Sequence, residues 1–212
     1  MNKKLAVITS VIILLPIAVS LCFWNQLPEQ VPIHWNIHGE IDGYASRLVA
    51  VVVLPFVLFG VHLLCIFATM MDPKYKNISD KIWTLILSLC PILSFVLMYM
   101  MVGSALGMEI NVNAILPVFL GIVFIVIGNY LPKCKQSYTV GIKIPWTLNS
   151  EENWNKTHRL AGPCWMIGGI AMMFTGLFES VTLLMVITLF MVFVPVVYSY
   201  MYYVKYEKGK EE

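Results

Sequence analysis

Six stretches of this chain run without a single Asp, Glu, Lys or Arg for long enough to cross a bilayer, and nothing else constrains its fold as strongly. A hydrocarbon core about 30 Å thick needs roughly 20 apolar residues in a helix that rises 1.5 Å per residue. The stretches are Leu5 to Phe23, Leu48 to Met71, Ile82 to Met101, Ala114 to Tyr130, Leu160 to Phe178 and Val181 to Tyr203. The fourth is short, and the fifth is interrupted by Gly162 and Pro163. With 59% of residues hydrophobic and 12% charged, the chain lies outside the mix of a soluble domain, so a soluble enzyme is excluded. Lys3 and Lys4 ahead of an apolar run resemble a signal peptide, but no small-residue cleavage site follows, and the segment is expected to stay as the first span.

Orientation follows from the cations, because Lys and Arg in short loops are retained in the cytoplasm. Lys3 and Lys4, Lys74, Lys76 and Lys81, Lys133, Lys135, Lys143, Lys156 and Arg159, and Lys205, Lys208 and Lys210 all fall on one face. Of the 14 Lys and Arg, only Arg47 falls on the other, beside Glu29, Glu40, Asp42, Glu109 and Glu179. The expected fold is therefore all-α, with six transmembrane helices and both termini cytoplasmic. Two loops are long enough to carry function: residues 25–47 outside and 131–159 inside. A net charge of +2 gives no reason to expect direct contact with nucleic acid.

Chemistry has little to work with. The five cysteines are scattered through apolar runs with no metal-ligand spacing, and read as small buried hydrophobes. His62 is the one candidate for an ionisable group inside a span, and is expected to bond a neighbouring helix; ion-coupled transport or export is the alternative that would need it. Pro16, Pro55, Pro91, Pro117 and Pro195 lie within the spans, as is common in membrane helices. In the outer loop, His34 and His38 stand near Glu40 and Asp42, but Pro32, Gly39 and Gly43 argue against the helix that would align both imidazoles on a metal. His34, Trp35, Asn36, Gly39 and Asp42 are expected instead to build a folded extracellular cap. No cofactor is expected.

The inner loop is denser. Gly128-Asn129-Tyr130-Leu131-Pro132 precedes Gly141-Ile142-Lys143-Ile144-Pro145-Trp146-Thr147-Leu148. Asn149, with Glu152 three residues on, has the pattern of a helix start. The helix would place Trp154 and His158 four residues apart on one face and feed into the fifth span. Positive-inside bias and lipid contact explain part of the cations here, but not Pro145-Trp146-Thr147 or the glycines.

At these residues the chain resembles the SdpI-type bacterial immunity proteins. The resemblance is carried by Asn129, Gly141, Lys143, Pro145, Trp146, Thr147, Trp154, Thr157, His158, Arg159 and Gly162, in order and spacing. The N-terminal part, through Leu27-Pro28, Pro32, His34, Asn36, Gly39, Asp42 and Ser46-Arg47, resembles the domain of unknown function that commonly precedes that signature. The family pattern usually has arginine near Lys143. The resemblance implies two regions: residues 1–71, with two spans and the outer loop, and residues 82–212, with four spans and the signature loop. It also implies a membrane protein that protects against a secreted peptide toxin and, when toxin is bound, recruits a cytoplasmic transcriptional repressor. The expected partners are thus membrane lipids, the toxin and the repressor. The signature residues would meet the repressor, and the bundle with its outer loop would meet the toxin.

Overall fold

The computed structural model describes residues 2–208, so Lys210 lies outside the described residues. The chain forms two compact units, residues 1–70 with 80–112, and residues 71–79 with 113–212.

In the first unit, α1 (Lys3–Ile12) starts on Asn2, whose side chain accepts the N–H groups of Lys4 and Leu5, and α2 (Leu15–Cys22) follows after a break. The expected single span is therefore two helices. Pro16 has no N–H to continue the ladder, and Ile17 bonds back only to Leu14. The Ile13 carbonyl that this leaves free accepts the Ser94 hydroxyl at 3.0 Å. A π-helical turn at Val49–Val53 leads into α3 (Leu54–Met70), with Leu54 N–H reaching five residues back to Val49. This wide turn lies just ahead of Pro55, the next residue unable to donate. α4 (Asp80–Ala105) completes the unit and runs through Pro91 without a break.

Between α2 and the π turn the chain departs from all-α. β1 (Gln30–Trp35) and β2 (Ile41–Ser46) form an antiparallel hairpin, in register from Gln30 opposite Ser46 to Trp35 opposite Ile41. Irregular register around His34 blurs the alternation that marks a strand in sequence.

The second unit contains α5 (Val112–Tyr130), the short α6 (Pro145–Asn149), α7 (Glu151–Thr175) and α8 (Val181–Tyr206). Ser150, not Asn149, caps α7, its hydroxyl accepting Asn153 N–H at 3.1 Å. α5 and α7 approach through small residues. A Cβ on Gly121 would lie 2.5 Å from the Gly169 carbonyl, one on Gly128 2.8 Å from that of Gly162, and one on Gly176 2.9 Å from that of Ala114. Along each segment these positions recur every seventh residue, so the contact is an antiparallel seam on one face of each helix.

Among the described residues, five segments are long and apolar enough to cross a membrane: Lys3–Cys22, Val49–Met70, Asp80–Ala105, Val112–Lys133 and Val181–Tyr206. The chain is accordingly a mostly helical, polytopic membrane protein. The stretch Leu160 to Phe178 does not join them. Its helix α7 begins with three polar turns and is then diluted by Gly162, Pro163, Gly168 and Gly169.

Candidate functional site

The signature loop folds around a buried carboxylate. Asp72 Oδ2 accepts the Ser137 hydroxyl at 2.6 Å, the Thr139 hydroxyl at 2.7 Å, and the N–H groups of Tyr138 and Thr139 at 2.9 Å each. Its Oδ1 accepts Lys74 N–H at 2.7 Å. Burial pushes this carboxyl up, but donors from Ser137, Lys74 and Thr139 outweigh it and hold the group below the ordinary aspartate value. Beside it the buried Gln136 gives its amide N–H groups to the carbonyls of Thr147 and Leu148, and Asn77 donates to the Gln136 carbonyl at 2.8 Å. Segment 134–139 is thereby fixed to both the 71–79 turn and α6.

The signature residues divide into an inside and an outside. Trp154, Thr147, Thr157 and His158 are fully buried. Trp154 donates its indole N–H to the Cys134 carbonyl at 2.8 Å and stacks on His158, the ring centroids 4.0 Å apart. His158 Nε2 accepts Ile142 N–H at 2.9 Å, so Nδ1 carries the proton and donates to the Trp154 carbonyl at 2.8 Å. Burial drives its pKa down to about 4, only partly opposed by the Trp154 carbonyl, and the ring is neutral near pH 7. Gly141 lies against this pair with φ +116, and a Cβ there would come within 2.7 Å of both rings. Thr147 Oγ1 donates to the Ile142 carbonyl and accepts Ile144 N–H, closing the turn before α6. Gly162 packs on Pro132.

Exposed are Asn129, Lys143, Pro145 and Arg159, with Trp146 half-buried and its ring centroid 5.0 Å from that of Tyr200. Pro145, Trp146, Asn149, Ser150, Glu152 and Glu207 line a groove of about 400 Å³ there.

Residue-by-residue reading of the sequence did not single out Asp72, Gln136, Ser137 or Asn153. Asn153 is fully buried and joins α7 to α8, accepting the Ser199 and Thr157 hydroxyls and donating to the Ser199 carbonyl and Glu207. One cue for Asp72 was present: it is a lone acid at the end of an apolar run, and the charged residues between it and Asn77 are the cations Lys74 and Lys76.

In the other unit, His34 Nδ1 lies 2.5 Å from Asp42 Oδ1 across the hairpin, and Gly43 stands opposite because a Cβ there would meet the His34 Cβ at 2.7 Å. Asn36 closes the turn, its Oδ1 accepting the N–H groups of His38 and Glu40, while Gly39 takes φ +80. Trp35 pairs with Ile41. Among the described residues, no three His, Cys, Asp or Glu side chains converge as metal ligands. Arg47 donates to the Trp24 carbonyl at 2.7 Å and lies over its ring, securing the foot of the hairpin. His62 is buried, with Nε2 3.4 Å from the Thr9 hydroxyl and no partner on Nδ1 among the described residues.

Residues 133–199 match the model of the SdpI/YfhL protein family, and residues 11–59 match that of a domain of unknown function, DUF1648. The chain is 27% identical over 207 residues to "Immunity protein SdpI" of Bacillus subtilis (strain 168), an alignment covering 95% of this chain and 97% of that protein. No solved structure matches it. With its five apolar helices, it is a multi-pass protein of the bacterial cytoplasmic membrane. Residues 133–199 are thus similar to the SdpI/YfhL protein family, with a segment similar to DUF1648 ahead of them.

Proposed function

We propose that this protein is a membrane immunity protein that protects its cell from a secreted, membrane-active peptide toxin, and that its signature unit docks a cytoplasmic transcriptional repressor. In this reading six helices cross the bilayer, α7 supplying the additional crossing. Both termini and the signature loop are cytoplasmic, and the hairpin faces outward. The alignment with an immunity protein along nearly the whole chain supports the first role. The second is carried by one observation: the signature buries Trp154, His158, Thr147 and Thr157 in a fixed hydrogen-bonded frame while leaving Lys143, Trp146 and Arg159 accessible. A frame that holds an aromatic and two cations at a surface suits binding, since aromatics and arginine dominate protein interfaces.

The test is to express the wild type, Trp146→Ala and Arg159→Ala in a toxin-sensitive host at matched membrane levels, scoring survival and repressor recruitment to membranes. Wild-type expression should confer survival. Each variant should keep it while repressor affinity falls about thirtyfold, as expected for losing about 2 kcal/mol at an interface hot spot. Loss of both properties at normal protein level would make the surface part of the immunity structure. Unchanged recruitment would remove repressor docking from it.

A further inference from the structure

The first unit contains a cavity of about 270 Å³ beside its hairpin. Ile33 of β1, Ala50 and Val51 of the π turn, Pro55 of α3, and Leu97 and Met101 of α4 form much of its wall. Two serines supply hydroxyls. That of Ser94 is committed to the Ile13 carbonyl left free at the α1–α2 break. Ser20, on α2, is 2% exposed, lines the cavity, and has no hydrogen-bond partner for its hydroxyl among the described residues.

The cavity thus carries two separate deficits. Its apolar lining lacks packing partners, which forfeits dispersion contacts. The Ser20 hydroxyl opens onto that space without a hydrogen bond to the described residues, which polar groups in apolar surroundings rarely go without. A lipid acyl chain removes the first deficit only. A peptide removes both, because apolar side chains fill the space while a backbone carbonyl or N–H meets the hydroxyl. The size agrees: an apolar cavity of about 150 Å³ holds one benzene, so this one has room for about two large apolar side chains.

We propose that this cavity is a binding site for an apolar peptide segment, held by the Ser20 hydroxyl on its backbone and by the cavity wall around two of its side chains. The identity of that peptide as the toxin rests on the immunity reading; the site itself does not.

The experiment uses the full-length chain in phospholipid nanodiscs, with N-acetyl-trileucinamide and decane as probes and thermal unfolding as the readout. The peptide should raise the midpoint of the wild type in a dose-dependent way, and decane should raise it little. Ser20→Ala removes a hydroxyl that bonds nothing, so its unliganded midpoint should equal or exceed that of the wild type, while peptide affinity falls about tenfold. Ala50→Phe, which fills the cavity, should abolish the peptide shift; should it fail to fold, Ser20→Ala alone decides. Decane stabilising as strongly as peptide, with Ser20→Ala indistinguishable from wild type, would make this an acyl-chain site and overturn the proposal, as would the absence of any peptide shift in the wild type. Failure of the immunity reading shows separately, as wild-type expression that gives no survival whatever the cavity binds.

Discussion

Mild acid should loosen the signature unit through one side chain. His158 is buried between the Ile142 N–H and the Trp154 carbonyl, and its pKa is held at about 4 against an ordinary 6.5. Below pH 6.5 the unfolded chain takes up this proton and the folded chain does not, so stability is full above 6.5 and declines as pH falls toward 4. Each pH unit in that window costs about 1.4 kcal/mol, which gives about 2 kcal/mol at pH 5 and about 3 kcal/mol by pH 4. That is a substantial part of a domain's usual margin. The Asp72 carboxyl lies below the ordinary aspartate value, so its own loss belongs to more acid conditions and does not mask the effect. Unfolding of the purified protein in detergent, followed from pH 7.5 to 4.5, should show this slope. His158→Gln should be less stable at pH 7.5, having lost the stack on Trp154, but its slope between 6.5 and 4.5 should be shallower than that of the wild type. Parallel pH profiles for wild type and variant would refute the assignment of His158 as the neutral pivot of the loop.

Two glycines make a matched pair for the seam between α5 and α7. Gly121→Ala drives a methyl to 2.5 Å from a backbone carbonyl and should cost about 1–3 kcal/mol of overpacking, whereas Gly60→Ala in α3 meets nothing within 4 Å and should stabilise by up to about 1 kcal/mol; thermal unfolding of both checks the contrast. For topology, Cys134 is a poor reporter, because it is 7% exposed and burial pushes its thiol up to about 11, far from the reactive thiolate. Lys135→Cys in an otherwise cysteine-free chain is exposed, and should react with an impermeant maleimide only after cells are permeabilised; labelling in intact cells would overturn the cytoplasmic assignment of the loop.

The helices of this protein were legible because lipid demands long uncharged runs, and such runs are local in sequence. The hairpin was not, since Pro32, the irregular register at His34 and the small size of Gly43 and Ala45, the less exposed residues of β2, erase the two-residue apolar period that marks a half-buried strand. α7 was harder still. The sequence placed Trp154 and His158 correctly on one helical face but put the cap one residue early, because Ser150 and Asn149 are both competent caps and only the fold chooses between them. The signature itself could be seen as a pattern, yet its physical reason could not. Gly141 is required by two rings that arrive from 13 and 17 residues away, and the Asp72 carboxylate by donors some 65 residues away. Contacts of that range leave no periodicity to read.

The seam of small residues has a consequence for how the second unit finds its native alignment. Teeth repeated every seven residues, with Ala114, Gly121 and Gly128 facing Gly176, Gly169 and Gly162, still engage in two of their three pairs if one helix slides along the other by one repeat, or about 10 Å. Close approach alone therefore selects only weakly among alignments. Selection falls to features that occur once: Pro132 seated on Gly162, and the indole of Trp154 reaching the carbonyl of Cys134. The residues that mark the family in sequence thus act as the end stop of a sliding rule, which would otherwise come to rest at more than one graduation.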